Sequence, residues 1–218
     1  LALTQQASTP DLCLAYANAW SDGPELRRLD WINRALSAGG LVPIGLRDLG
    51  QALSLDNLVG VGVSGTEASP QQKVSVIVPL FNARATVMTA LDSLLRQTWR
   101  NIEVLVVDDC STDGSVEMVC EVAKRDDRVI VLRHSTNQGA YVARNTGLVL
   151  ASGDFVTAHD ADDWSHPWKL ALQVKALLSS PASQASVSNW VRCRSALVFS
   201  QQRPGAKLVH CNLSSLMF

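Results

Sequence analysis

Apolar positions change their spacing partway along the chain. Up to about residue 60 they recur at helical intervals. Leu12, Tyr16 and Ala19 share one face between Asp11 and Trp20, and Leu26, Leu29, Trp31 and Leu36 serve a second helix that runs to about Ala38. Ser21-Asp22-Gly23-Pro24 reads as the turn between them, with Pro at a first helical position, and Gly39-Gly40 as a stop. Residues 1–60 are therefore expected to form a helical hairpin segment. One pair of helices cannot bury both of its faces alone, so this one must dock on something. From Val59 to Gln72 the chain turns to Gly, Ser, Thr, Pro and Gln, and residues 61–72 read as a linker.

Beyond it the pattern alternates between β-branched runs and amphipathic stretches. Strands are predicted at 74–79, 102–107, 129–132 and 154–158, and helices at 85–97, 115–125, 141–150 and from Pro167 to about Ser179. The first run, Val74-Ser75-Val76-Ile77-Val78-Pro79, has the composition of a strand buried on both faces. Strand–helix alternation at this spacing predicts an α/β fold, a mostly parallel sheet with helices on both faces in the Rossmann-like manner, preceded by the small helical segment. Residues 73–218 are taken as one domain.

Sheets of that kind bind ligands beyond the carboxyl ends of their strands. Three polar clusters fall there: Phe81-Asn82 after the first strand, Asp108-Asp109 after the second, and Asp160 to Asp163 after the fourth. The last has the spacing D-x-D. Carboxylates gathered at a strand end repel one another and call for a counter-ion. A hard divalent cation with oxygen ligands meets that need and can bridge to the phosphates of a nucleotide. Asp109 can accept a hydrogen bond from a base N–H or from ribose hydroxyls, while Ser111, Thr112 or Asp113 can cap the following helix. Gly139, at the opening of the third helix, permits close backbone approach to a ligand. Arg144 can direct its planar fork at a phosphate or, equally, pair with a carboxylate of the acidic edge. His159 alternates away from Asp160 and is expected to be packed or solvent-facing. His134 and His210 show no partner pattern. Trp164 and Trp168 can stack on a sugar ring or simply pack the fourth helix.

Composition narrows the partners. Hydrophobic residues make up 47% and charged residues 18%, enough to build a packed core. A net charge of −1 supplies no attraction for nucleic acid or an anionic membrane. No run is long and apolar enough to span a bilayer, and no signal segment is read at the start. Five scattered cysteines without C-x-x-C spacing read as reduced thiols, which disfavours structural zinc and suggests a cytoplasmic setting. For the full-length protein a peripheral position on the inner face of a membrane is compatible with that.

Taken together, Val74 to Asn82, Ser93 to Thr98, Glu103 to Asp113, Asn137 to Gly147 and Asp160 to Asp163 resemble, in order and spacing, the family 2 glycosyltransferases across about residues 73–180. The resemblance implies the GT-A fold, a nucleotide-sugar donor, usually UDP-linked, and Mg2+ or Mn2+. It further implies that Pro79 lies against the base, with Phe81 and Asn82 beside it in the nucleotide site. Asp109 would hold the base, Asp160 would lie near ribose and metal, and Asp162 would bind the metal. Members usually invert the anomeric centre with a carboxylate base. Here no Asp or Glu follows Asp163. The expectation is a donor-binding portion truncated at its C-terminus, lacking the base, from a protein of polysaccharide biosynthesis whose acceptor (saccharide, lipid-linked or protein) the sequence does not name. The competing reading is an inactive nucleotide-binding or partner-docking module. Another α/β phosphate enzyme is disfavoured by the lack of a G-x-x-x-x-G-K-[ST] loop or of G-x-G-x-x-G after a strand.

Overall fold

The structure, a computed structural model, describes residues 9–61, 72–201, 203–211 and 213–218. The predicted linker falls largely at 62–71, outside the described residues. The chain divides into two compact units, Leu1–Ser64 with Asn189–Cys211, and Gly65–Ser188 with Asn212–Phe218.

The second unit is the predicted α/β body. Its strands β3 (Val74–Leu80), β4 (Ile102–Asp108), β5 (Val129–Arg133) and β6 (Phe155–Ala158) are all parallel, in the spatial order β5-β4-β3-β6. Between them run α3 (Val87–Leu95), α4 (Ser115–Ala123) and α5 (Ala140–Leu150), and α6 (Lys169–Ser179) follows β6. The period-2 alternation of β3 sorts its side chains between two cores. Val74, Val76, Val78 and Leu80 join Val87, Leu91 and Leu94 of α3, Val116 and Val119 of α4, and Leu170 and Val174 of α6. Ile77 points the other way, to Leu105, Val107 and Ala143 of α5. Helices thus cover both faces, which is why β3 and β4 read as largely apolar runs, with Ser75 and Glu103 as polar interruptions. Contact on the α5 side is close: a Cβ placed on Gly147 would lie 2.5 Å from Ile77 Cγ2.

Strand order has a direct consequence. From β3 the chain steps outward to β4 and β5, then α5 carries it back across the opposite face to β6 on the far side of β3. A crevice opens where the winding reverses, beyond the carboxyl ends of β3 and β6. Residues at the chain's end add to the β6 edge in antiparallel sense: Val156 N–H donates to Phe218 O at 2.8 Å, and Phe218 N–H to Val156 O at 3.1 Å.

In the first unit, α1 (Pro10–Ala19) and α2 (Glu25–Ala38) match the expected helical pair. Residues 41–60 do not continue it. They form an antiparallel pair, β1 (Ile44–Leu46) with β2 (Leu58–Gly60). Pro43, Gly45 and Gly50 work against a helix. Buried Asn57 closes the connection, donating from Nδ2 to Asp48 O at 2.8 Å and accepting from Asp48 N–H at 2.9 Å. The range 73–218, expected as one domain, is shared between the two units. Residues 189–211, with β7 (Asn189–Cys193), β8 (Phe199–Ser200) and β9 (Val209–Cys211), cluster with the N-terminal segment. Polar side chains of the helical pair satisfy the backbone there. Asn18 bonds both Phe199 N–H (2.8 Å) and Phe199 O (2.7 Å), the Arg28 guanidinium donates to Ala196 O and Leu197 O, and Asp11 accepts from Leu208 N–H. The surface on which the helical pair docks is therefore supplied by a distant stretch of the same chain.

Candidate active site

A cleft of about 450 Å³ lies at the reversal point of the sheet. Its lining comes from three strand ends and one helix start: Pro79 to Ala83 at the end of β3, Asp109 after β4, Asp160 to Asp162 after β6, and Ala140 and Arg144 of α5, together with Thr86. Of the residues singled out from the sequence, Pro79, Phe81, Asn82, Asp109, Arg144, Asp160 and Asp162 meet here. Gly139 does not line the cleft. A Cβ on Gly139 would meet nothing within 4 Å, and its φ of +89° is a backbone conformation that favours glycine.

Asp109 is 2% exposed and heavily engaged. Its carboxylate accepts from Gly139 N–H at 2.6 Å and Gln138 N–H at 2.9 Å, and His134 Nδ1 lies 2.8 Å away. Burial alone would raise its pKa; the bonds from Gln138, His134 and Gly139 outweigh it and hold the carboxyl below the usual range. The ionised oxygens can only accept, so His134 carries its proton on Nδ1, and in the neutral ring Nε2 accepts from the Thr146 hydroxyl at 2.9 Å. Asp109 thereby fixes the loop that opens α5. Sequence reasoning found no partner for His134. The signal was one of register: Asp108 pairs with Arg133 across the parallel ladder, and His134 N–H then donates to Asp108 O, so the next residues on each strand adjoin.

Asn82, at φ +49°, ties two loops together. Its side-chain oxygen accepts from Thr112 N–H at 2.9 Å, while its own N–H donates to Ser111 Oγ. Asp113 accepts from Ser115 N–H at 2.9 Å at the start of α4 and from Arg84 N–H at 2.8 Å, the capping alternative foreseen for this stretch. Phe81 stands half out of the surface at the cleft mouth.

On the acidic edge, Arg144 Nη2 donates to Asp160 Oδ1 at 2.5 Å, and the guanidinium carbon sits 5.7 Å above the Tyr141 ring. Asp162 is exposed. His159 is buried on the other side, with Nε2 2.9 Å from Ser165 Oγ, and burial pushes its pKa down to about 3, leaving a neutral packed ring. Burial also pushes the Lys169 ammonium, at the start of α6, down to about 8 against the pull of Asp163 and Asp160. This lysine was not singled out from the sequence. Trp164 meets His166 edge-on, Lys175 lies over Trp168, and neither Trp lines the cleft.

Among the described residues no three or more His, Cys, Asp or Glu side chains gather in a way that could hold a metal ion. Two carboxylates, Asp160 and Asp162, do face one cleft. That donor set does not suit a resident ion. It suits a Mg2+-like ion, which takes one or two carboxylates and completes its shell with water and substrate phosphates. None of the five cysteines is in a disulfide, and no described helix is long and apolar enough to cross a membrane.

Residues 75–206 match the model of Glycosyl transferase family 2. Glycosyltransferase GlyA of Streptococcus pneumoniae serotype 4 is 45% identical over 92 residues, 42% of this chain and 13% of that protein. An uncharacterized glycosyltransferase of Haemophilus influenzae is 38% identical over 107 residues, 49% of this chain and 43% of that protein. The chain thus spans less than half the length of these curated relatives. Among solved structures, the mannosyltransferase PcManGT from Pyrobaculum calidifontis, in complex with GDP-Man and Mn2+, is 31% identical, with 56% of this chain and 36% of that chain covered and a TM-score of 0.49.

Proposed function

Because the chain belongs to glycosyl transferase family 2, we propose that its cleft binds a nucleotide-sugar donor, UDP-linked, for transfer of the sugar with inversion. One observation supports this above the others: Pro79, Asp109, Arg144, Asp160 and Asp162, far apart in sequence, line a single cleft at the carboxyl ends of the strands.

Each side chain has a part in this reading. Pro79 and Phe81 offer apolar surface to the base. Asp109 keeps the Gln138–Gly139 loop in place and presents a fixed negative edge to base N–H or ribose hydroxyl groups. Arg144 faces the phosphates. Asp160 and Asp162 would hold the dication, which when bound neutralises charge on the departing diphosphate. The acceptor hydroxyl needs a carboxylate base. No Asp or Glu lies beyond Asp163, so we assign no base, and the reading expects donor binding without efficient transfer from this sequence alone.

Calorimetry with UDP, in the presence and absence of Mn2+, tests it. Binding that strengthens with Mn2+ is the expected result. Absent binding, or binding indifferent to Mn2+, would favour an inactive docking module. Full-rate sugar transfer by this chain would overturn the expectation of donor binding without efficient transfer.

A further inference from the structure

Arg144 already occupies the carboxylate that the donor reading gives to the dication. Its guanidinium lies 2.5 Å from Asp160 Oδ1, with 28% of the Arg144 side chain and 35% of the Asp160 side chain exposed. Arginine keeps its positive charge at any working pH and presents it as a planar fork of donors. Nor is the arginine adventitiously placed. Ala143, buried beside it, and Gly147, one turn further on, seat α5 against Ile77, and the guanidinium rests over Tyr141. A dication approaching Asp160 therefore meets a tethered cation already on one oxygen of that carboxylate.

Resting on the donor reading above, we infer that Arg144 is a built-in counter-ion that makes dication and nucleotide binding mutually dependent. In the free cleft it neutralises Asp160 and keeps affinity for the bare ion low. A nucleoside diphosphate changes the balance, because its phosphate oxygens accept the fork of the guanidinium bidentately. Arg144 then exchanges one anion for another, and Asp160 is freed for the ion. The ion thus arrives with its diphosphate, and by linkage each ligand raises affinity for the other by the same factor. Lys169 is the second cation felt by this edge, through Asp163 and Asp160. It follows β6 on α6, whereas Arg144 comes from α5, so the two can be separated by substitution.

The test is a set of titrations on the wild type, Arg144→Gln and Arg144→Lys: Mn2+ alone, UDP alone, and each in the presence of the other. Free and bound Mn2+ are counted by electron paramagnetic resonance. For R144Q we expect Mn2+ alone to bind about tenfold more tightly, and the Mn2+–UDP coupling to shrink by a similar factor, within the ~5–150-fold range usual for coupled sites. R144K keeps the charge without the fork and should fall between the two. Circular dichroism checks that both variants are folded; should R144Q not fold, the milder change in R144K carries the test. Mn2+ affinity that is unchanged or weaker in the folded variants, with coupling as in the wild type, overturns the counter-ion and leaves the donor reading standing. A wild type that binds no UDP even with Mn2+ removes both.

Discussion

Glu103 offers the sharpest test of how this fold holds its cleft-forming strands in register. It is 4% exposed, inside the sheet, at the end remote from the cleft. Oε1 accepts from Ser75 Oγ at 2.5 Å and Ser152 N–H at 2.7 Å, and Oε2 lies 2.6 Å from Lys73 Nζ. Ser75 Oγ in turn accepts from Gly153 N–H at 2.8 Å. One carboxylate thus joins β3, β4 and the turn between α5 and β6. Burial would raise its pKa. The bonds from Lys73, Ser75 and Ser152 reverse that and bring it from 4.5 to about 2. A folded pKa below the unfolded one contributes stability that is fully present above the unfolded value and is lost as pH falls through the folded value. Linkage sets an upper bound of about 3 kcal/mol at pH 7, and screening of the partly exposed Lys73 trims it. Glu103→Gln keeps the shape, removes the charge and turns an N–H2 toward donors. We expect a loss of about 2 kcal/mol at pH 7, a fall in Tm of roughly 4–8 °C. Urea melts of wild type and E103Q from pH 7 to pH 3 measure it. The gap should stay constant down to about pH 5 and shrink to about half by pH 3, since about half of the linkage contribution remains there. A gap below about 0.5 kcal/mol at pH 7, the scatter of ordinary surface changes, would refute this account of the network, as would a gap independent of pH.

Two further outcomes follow from backbone geometry. Gly147→Ala places a methyl 2.5 Å from Ile77 Cγ2 and must push α5 off the sheet; it should cost about 1–3 kcal/mol in urea melts and weaken UDP binding, because Arg144 moves with the helix. Undiminished stability would show that α5 is not seated as described. Cys110 holds a left-handed φ of +67° beside Asp109, a conformation that glycine adopts without strain; Cys110→Gly should therefore raise stability by about 0.5–1 kcal/mol, and a clear destabilisation in a thermal melt would contradict that.

Local order was readable from residue types and their spacing. The apolar runs of β3 and β4 and the helical faces of α3 to α6 follow from periods of two and 3.6, which each stretch of backbone imposes on itself. Carboxylates ending such runs, as at Asp108-Asp109 and Asp160 to Asp163, marked the strand ends for the same reason. The helical pair was legible too, but the strands at 44–46 and 58–60 were not, because runs of three residues are too short to show a period.

Partnerships between distant stretches left no such trace. The placement of β6 beside β3, which brings Arg144 to Asp160, was settled by the crossover of α5. The grouping of residues 189–211 with the N-terminal helices depended on Asn18, Arg28 and Asp11 meeting backbone far along the chain. His134 looked unpaired until Asp109 stood next to it. A residue type and its near neighbours determine which contacts a side chain can make. Which of those contacts form is decided by how loops close and sheets order themselves, and that balance is spread over the whole chain rather than written at any one position.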